Sequence, residues 1–406
     1  MRVLLISQYY PPEIGAAAQR IGSFAKYLAK KGHEITLVCG VPNYPGGEIY
    51  TGFRNTLYRK EKINGVEVVR TLVFPTKNTT ILRRFLNYSV FAFSASIAGI
   101  FQKKPDVVLA SSPPLTVGLI GYVISFIKRT PFVLDVRDIW PGAAVAVGAL
   151  KSRSAIKTSE SIEKFLYKKA DLIIAPTKET KDLLLESNQF LSKRKVEVIY
   201  NGAELVRSGP GRTRYKDKGK MSIFYAGTLG LQQGMNTLLS AVRRVKEKTK
   251  NIEFVVVGDG VDKEKILRKA AKEKLTNIKF LKPVPYDKLI KIVEKFSIGL
   301  AILKKNKYQS AAYATKMFDY FLSKKPVIAS GGEAMEKLIR SYNVGFWVEP
   351  ENSDKLAAKI LEIRNLPREK LKIMGERGRR LVETVFNRKV QAEKLEKILQ
   401  KVVADK

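Results

Sequence analysis

Short apolar runs alternate with longer amphipathic stretches from one end of this chain to the other. Runs such as Val3, Leu4, Leu5, Ile6 or Val107, Val108, Leu109 are continuous and rich in β-branched residues. Strands buried on both faces of a parallel sheet read this way. Between them, apolar residues recur at helical spacing. The pattern predicts strands over 3–8, 34–39, 66–72, 107–111, 132–136, 172–175 and 196–200, with helices over 16–31, 82–101, 115–127 and 155–169. A second series has strands over 222–225, 253–257, 279–281, 299–303 and 326–329. Its helices fall over 235–248, 263–274, 286–296 and 315–322, and 353–401 is helical with a break near Pro367.

The stretch 204–220 is polar, glycine-rich and basic, with no hydrophobic period, and reads as a linker. The expected architecture is α/β: two Rossmann-like domains facing across a cleft, with ligand at the carboxyl ends of the strands. The domains are 1–203 and 221–387, and 388–406 is a final helix packing back on the first.

At 406 residues, two cores are the natural expectation. One cysteine, Cys39, excludes a disulfide framework, and one histidine, His33, excludes a histidine-based metal cluster. His33 sits in a Lys-Gly-His-Glu turn and reads as a loop residue. The N-terminus runs straight into a strand without a signal-peptide pattern, so a cytoplasmic location is expected. The 74 basic residues outnumber the 38 acidic ones, a formal +36 that calls for an anionic partner: nucleic acid, an anionic membrane face or phosphorylated substrates.

Residues 85–101 are strongly apolar and flanked by Arg83, Arg84, Lys103 and Lys104. A helix buried against the sheet is the first reading. A helix partly inserted in a membrane surface is the second. A true span is the least favoured, because the stretch is short and contains Asn87, Ser89, Ser94 and Ser96.

The most informative motif lies at 313–332. Lys316 and Asp319 are three residues apart on the 315–322 helix and share a face. Thr315 is placed to cap it. A lysine beside a helix N-terminus suits a diphosphate, and a carboxylate one turn on can take the hydroxyls of a ribose. The bland alternative is a solvated lysine and aspartate. Glycines follow two strand ends of the same half: Gly227, Gly230 and Gly234, then Gly258 and Gly260. In the first half, Gly15 and Ala16 open a helix after Pro-Pro-Glu-Ile, and the strand at 132–136 ends in Arg137, Asp138 and Trp140. Arg137 and Asp138 could position or deprotonate a hydroxyl, or form an ion pair of little worth. Asp135, inside the strand, reads as structural.

With these segments in place, the chain resembles the retaining glycosyltransferases of family 4, which have GT-B architecture. It is most similar to bacterial and archaeal enzymes of surface-polysaccharide assembly, including N-acetylfucosamine transferases of O-antigen synthesis. Segments 11–16, 43–47, 135–141, 201–202, 226–234, 258–260, 284–285, 315–320 and 325–330 carry the resemblance over essentially the whole length. It implies that Asp319 stands where the second glutamate of the family's paired motif holds the donor ribose. The first glutamate falls on Ala311. The arginine and lysine that usually neutralise the diphosphate fall on Thr228 and Gln233, which leaves Lys316 to supply that charge.

The expected donor set is therefore Gly227, Gly230, Gln233, Gly234, Gly258, Gly260, Thr315, Lys316 and Asp319. Asp138, Arg137 and Lys316 are the catalytic candidates, and Gly15, Ala16, Asn43 and Tyr44 the acceptor side. The expected partners are a UDP-type nucleotide sugar, a glycan or polyprenyl-diphosphate-linked acceptor and the anionic inner face of a membrane, with no cofactor, metal or nucleic acid. The chain contains no Asp-x-Asp sequence. Two rivals are a UDP-sugar epimerase of the same architecture, kept open by Ala311, and a basic nucleic-acid binder. No nucleic-acid-binding motif supports the latter.

Overall fold

The computed structural model describes residues 1–44, 46–76, 81–205 and 220–406. Most of the expected linker, residues 206–219, lies outside them. The chain divides into two compact units, Met1–Asn201 with Arg388–Lys406, and Gly202–Asn387.

The first unit is built on an eight-stranded sheet: β1 Arg2–Ile6, β2 Glu34–Gly40, β3 Arg59–Ile63, β4 Val66–Thr71, β5 Val107–Ser112, β6 Phe132–Val136, β7 Leu172–Ala175 and β8 Val196–Val198. Its order is β3-β4-β2-β1-β5-β6-β7-β8, parallel except for β3. The chain moves outward from β1 and then returns to its other side with β5. That reversal opens a crevice at the carboxyl ends of the two strands.

Alternate residues of the buried strands supply two cores. Val3, Leu5, Leu37, Val107 and Leu109 pack with Ile21, Phe24 and Leu28 of helix Ala16–Lys30, and with Leu395 and Leu399 of helix Arg388–Ala404. The opposite face meets helix Leu115–Lys128, whose Gly118 and Gly121 lie against Leu134, Ala110 and Phe132. Helix Ile81–Ile100 packs beside it and buries Phe91 and Ala95. Among the described residues, no helix is long and apolar enough to cross a membrane. His33 bonds Glu396 at 2.7 Å, fastening the final helix to the turn before β2.

β3 is absent from the sequence expectation because Arg-Lys-Glu-Lys-Ile shows no apolar period. It exists because Asn64 and Gly65 both take positive φ, 51° and 84°, which makes a tight hairpin onto β4. Helix Lys178–Ser187 is also unpredicted. It buries only Thr180 and Leu184, and its start is set by Thr177, whose hydroxyl accepts the Thr180 N–H at 2.9 Å.

The second unit has a six-stranded parallel sheet: β9 Met221–Ala226, β10 Ile252–Val257, β11 Ile278–Leu281, β12 Ile298–Ile302, β13 Val327–Ser330 and β14 Gly345–Val348. The order β11-β10-β9-β12-β13-β14 reverses at β9, so the loops after β9 and β12 flank its crevice. Helix Glu333–Tyr342 and β14 were not expected. The helix stops at Asn343, left-handed at φ 49°, where no glycine or proline marks the end. The helical region after 353 breaks twice, into Ser353–Arg364, Arg368–Thr384 and Arg388–Ala404. Only the first break has a proline to announce it.

Candidate functional site

Helix Lys316–Leu322 is locked to the second sheet by its apolar face. Met317, Phe318, Tyr320 and Phe321 are buried, and the Tyr320 hydroxyl accepts the Ala226 N–H at 2.9 Å and donates to the Leu300 carbonyl. This anchorage puts the helix across the ends of β9 and β12 and leaves Lys316 and Asp319 half-buried on its other face. The Lys316 ammonium donates to Gln233 Oε1 at 2.8 Å and lies 3.9 Å from the centroid of the Tyr225 ring. The Tyr225 hydroxyl, 2.8 Å from the Thr228 carbonyl oxygen, lies 3.0 Å from the same amide oxygen and shares its proton between the two. These neighbours are neutral, and burial pushes the ammonium from 10.5 down to about 7.

Gly227 is exposed and passes over this lysine at φ 142°, a conformation that suits glycine. A side chain there would begin 3.1 Å from the Lys316 Nζ. Gly258 and Gly260 serve the scaffold beneath. A Cβ on Gly258 would stand 2.1 Å from the Gly227 carbonyl oxygen, and one on Gly260 2.4 Å from that of Leu229. Gly230 is buried in the same loop, and Gly234 precedes helix Met235–Lys248 against Ile302.

The Asp319 Oδ1 accepts from the Tyr286 hydroxyl at 2.7 Å. Thr315 does not cap the helix with its side chain. Its backbone is already helical, at φ −55° and ψ −27°, and an N-cap hydroxyl reaches forward only from an extended backbone. Ala311, one stretch upstream, is buried.

In the first unit, the organising group is Glu13, which sequence reasoning passed over inside Pro-Pro-Glu-Ile. Its buried carboxylate accepts the N–H groups of Tyr10, Asn43 and Tyr44 at 3.1, 3.0 and 2.9 Å. It thereby ties the loop after β1 to the loop after β2. Desolvation raises its pKa from 4.5 to about 7, outweighing the three backbone donors. Asn43 is buried, with its amide turned to the Val41 carbonyl at 2.8 Å. Tyr44 packs on Tyr9, ring centroids 5.0 Å apart, and Gly15 lies beside the Tyr44 ring. Ala16 is exposed at the first position of its helix, whose N-cap has no side-chain hydrogen bond.

Asp135 belongs to the framework. Arg20 grips it through Nη2 at 2.9 Å and Nε at 3.2 Å, Ser111 donates to it at 2.7 Å, and Arg20 also reaches Asn201. Arg137 comes next along the chain but faces another way, donating to the Pro113 carbonyl while its Nε is buried without a partner. Among the described residues no ion pair joins Arg137 to Asp138. Asp138 keeps an exposed surface, yet the protein crowding its carboxyl raises it above the usual range, with Arg137 pulling the other way. Tyr9 lies within electrostatic reach of Arg137, Glu13 and Tyr88, so loops from β1, β2 and β6 meet helix Ile81–Ile100 here. Tyrosines carried no motif, so Tyr9, Tyr88, Tyr225 and Tyr286 could not be picked out beforehand.

Residues 15–202 match the family model described as glycosyl transferase 4-like domain, and residues 212–381 the model of glycosyl transferases group 1. An uncharacterized glycosyltransferase of Methanocaldococcus jannaschii is 23% identical, and the match covers 99% of each chain. WcaI of Escherichia coli, described as a colanic acid biosynthesis glycosyl transferase, is 21% identical over 91% of this chain and 93% of its own. Among solved structures, sucrose-phosphate synthase from Thermosynechococcus elongatus superposes with a TM-score of 0.78 at 15% identity, covering 100% of both chains. HepE of Anabaena, in complex with UDP and glucose, gives 0.70 at 15% identity, covering 99% of this chain and 100% of its own. These likenesses bear on the fold alone and support GT-B architecture, with two Rossmann-like domains.

Proposed function

We propose that this chain, a glycosyltransferase of GT-B fold, moves a sugar from a UDP-type donor to a hydroxyl of a glycan or polyprenyl-diphosphate-linked acceptor, with retention of configuration. The observation that carries the donor assignment is Lys316: a half-buried ammonium at a sheet switch point, surrounded by a neutral amide oxygen and an aromatic ring, beneath the exposed backbone of Gly227. An anion placed there gains a charge-assisted bond and restores the lysine's proton.

In the proposed reaction the bond between the sugar C1 and the β-phosphate oxygen breaks, and negative charge collects on the departing diphosphate. The Lys316 ammonium stabilises that charge, which makes it an electrostatic catalyst. Asp319, held by Tyr286, takes the ribose hydroxyls. The acceptor oxygen bonds to C1 from the side the diphosphate leaves, and its proton passes to the leaving phosphate oxygen. The acceptor is bound in the first unit by the loops carrying Gly15, Ala16, Asn43 and Tyr44. There Arg137 and Asp138 position the reacting hydroxyl. Assembly of a cell-surface polysaccharide is the role we infer, supported by the likeness to WcaI.

Calorimetry with UDP, GDP and ADP, without added metal, tests this on the wild type and Asp319→Ala. UDP should bind selectively and more weakly to the variant. Absence of nucleotide binding to both proteins sinks the donor site.

A further inference from the structure

The first unit carries an apolar surface that the donor and acceptor sites do not use. On helix Ile81–Ile100, Leu82, Leu86, Phe93 and Ile97 return along one side, Phe101 follows just past its end, and all five are exposed. Helix Leu115–Lys128 lies beside it in the same layer, packed so closely that a Cβ on Gly99 would stand 2.2 Å from Ile124. It adds Val123, Phe126 and Ile127 to the same outer surface. Phe93 is 68%, Phe101 82% and Phe126 71% exposed, so three whole rings face water. Large apolar side chains exposed together on two closely packed helices mark an interaction surface.

Its charge pattern selects the partner. Neither helix contains an aspartate or glutamate. Cations stand at the ends: Arg83 at the start of the first helix, Lys104 just past its end, and Arg129 after the second. Lys128 donates to the Gln102 carbonyl at 2.6 Å and fastens the two basic ends together. A second copy of a chain with formal charge +36 would bring cation against cation. A leaflet of anionic phospholipid matches both parts at once, because the rings and aliphatic chains enter the acyl boundary while the ammonium and guanidinium groups sit among the phosphates.

We propose that helices Ile81–Ile100 and Leu115–Lys128 form a monotopic docking surface that lays the first unit on an anionic phospholipid membrane. The surface lies on the bilayer and does not span it. This inference stands apart from the donor-site reading, which it neither needs nor supports.

The test is flotation of the full chain with vesicles of phosphatidylcholine alone and of phosphatidylcholine with one-third phosphatidylglycerol. The wild type is compared with a Phe93→Ser/Phe126→Ser double variant whose melting temperature is shown to be unchanged. The wild type should prefer anionic vesicles, and the double variant should bind them roughly tenfold more weakly. In a separate Phe126→Trp variant, the new indole should be quenched by lipids brominated in the acyl chain. Absence of a preference for anionic vesicles overturns the proposal. So does equal binding of the double variant without quenching, which would assign adsorption to charge spread elsewhere. A patch-dependent dimer in sedimentation, without vesicle binding, would make the occupant a second copy and also overturn it. UDP calorimetry on the same variants keeps failure of docking separate from failure of the donor site.

Discussion

Lys316 places its Nζ 2.8 Å from the Oε1 of Gln233, a bond between residues 83 positions apart that ends a helix-borne charge on a loop amide. The amide is a neutral acceptor, so it orients the ammonium without repaying the loss of water. The low pKa follows from that balance.

A diphosphate should raise this pKa, so binding should take up a proton near and above pH 7. UDP affinity is expected to fall as pH rises from about 7 to about 9, where more free protein holds a neutral lysine. Calorimetry in buffers of different ionisation heat reads the proton directly. Lys316→Met should weaken UDP roughly 10- to 100-fold and abolish the pH dependence, the loss expected of a charge-assisted bond. A variant with unchanged affinity and slope would remove Lys316 from the site.

Glu13 is shifted the opposite way from Lys316, and its prediction concerns stability. Its carboxyl titrates at about 7 in the folded protein against 4.5 for an ordinary glutamate. Between those values the folded state keeps a proton that the unfolded chain has released. The stabilisation from this group is complete below the lower value and is lost as pH rises through the upper one, on the order of 2–4 kcal/mol in all. In Glu13→Gln that part of the pH dependence should disappear. Urea unfolding of both proteins across the window measures it.

Arg20 and Asp135 are both buried, at 3% and 0% side-chain exposure. Arg20→Ala should cost about 3–5 kcal/mol, because it strands a carboxylate inside the sheet. Arg20→Met with Asp135→Leu should cost clearly less, since no charge is left behind. Denaturant midpoints for the single and double variants decide the matter.

Gly258→Ala should destabilise the second unit by about 1–3 kcal/mol and weaken UDP binding, because its new methyl would push the Gly227 carbonyl out of place. Gly46→Ala has open space around it and is the control. Equal melting temperatures for the two variants would show that the loop accommodates the methyl.

Local pattern alone determined the α/β alternation, the parallel strands, and the pairing of Lys316 with Asp319 on one helix face. Burial on both sides of a strand writes itself into consecutive apolar residues, and helical geometry fixes which neighbours share a face. The glycines after β9 and β10 were equally visible, but not their division of labour between an open backbone at Gly227 and loop-on-loop packing at Gly258. Charged β3 and the second break in the C-terminal helices left no apolar signal to read.

Tertiary structure decided the rest. Glu13 joins positions 10, 43 and 44, Arg20 joins 135 and 201, and Gln233 meets Lys316, all through strand order rather than neighbourhood in sequence. The Thr315 cap failed for the same kind of reason: the threonine was present, but its backbone had already turned into the helix. A side chain's identity is local, whereas the field, the solvent and the partners it meets are set by whatever the folded sheet brings alongside.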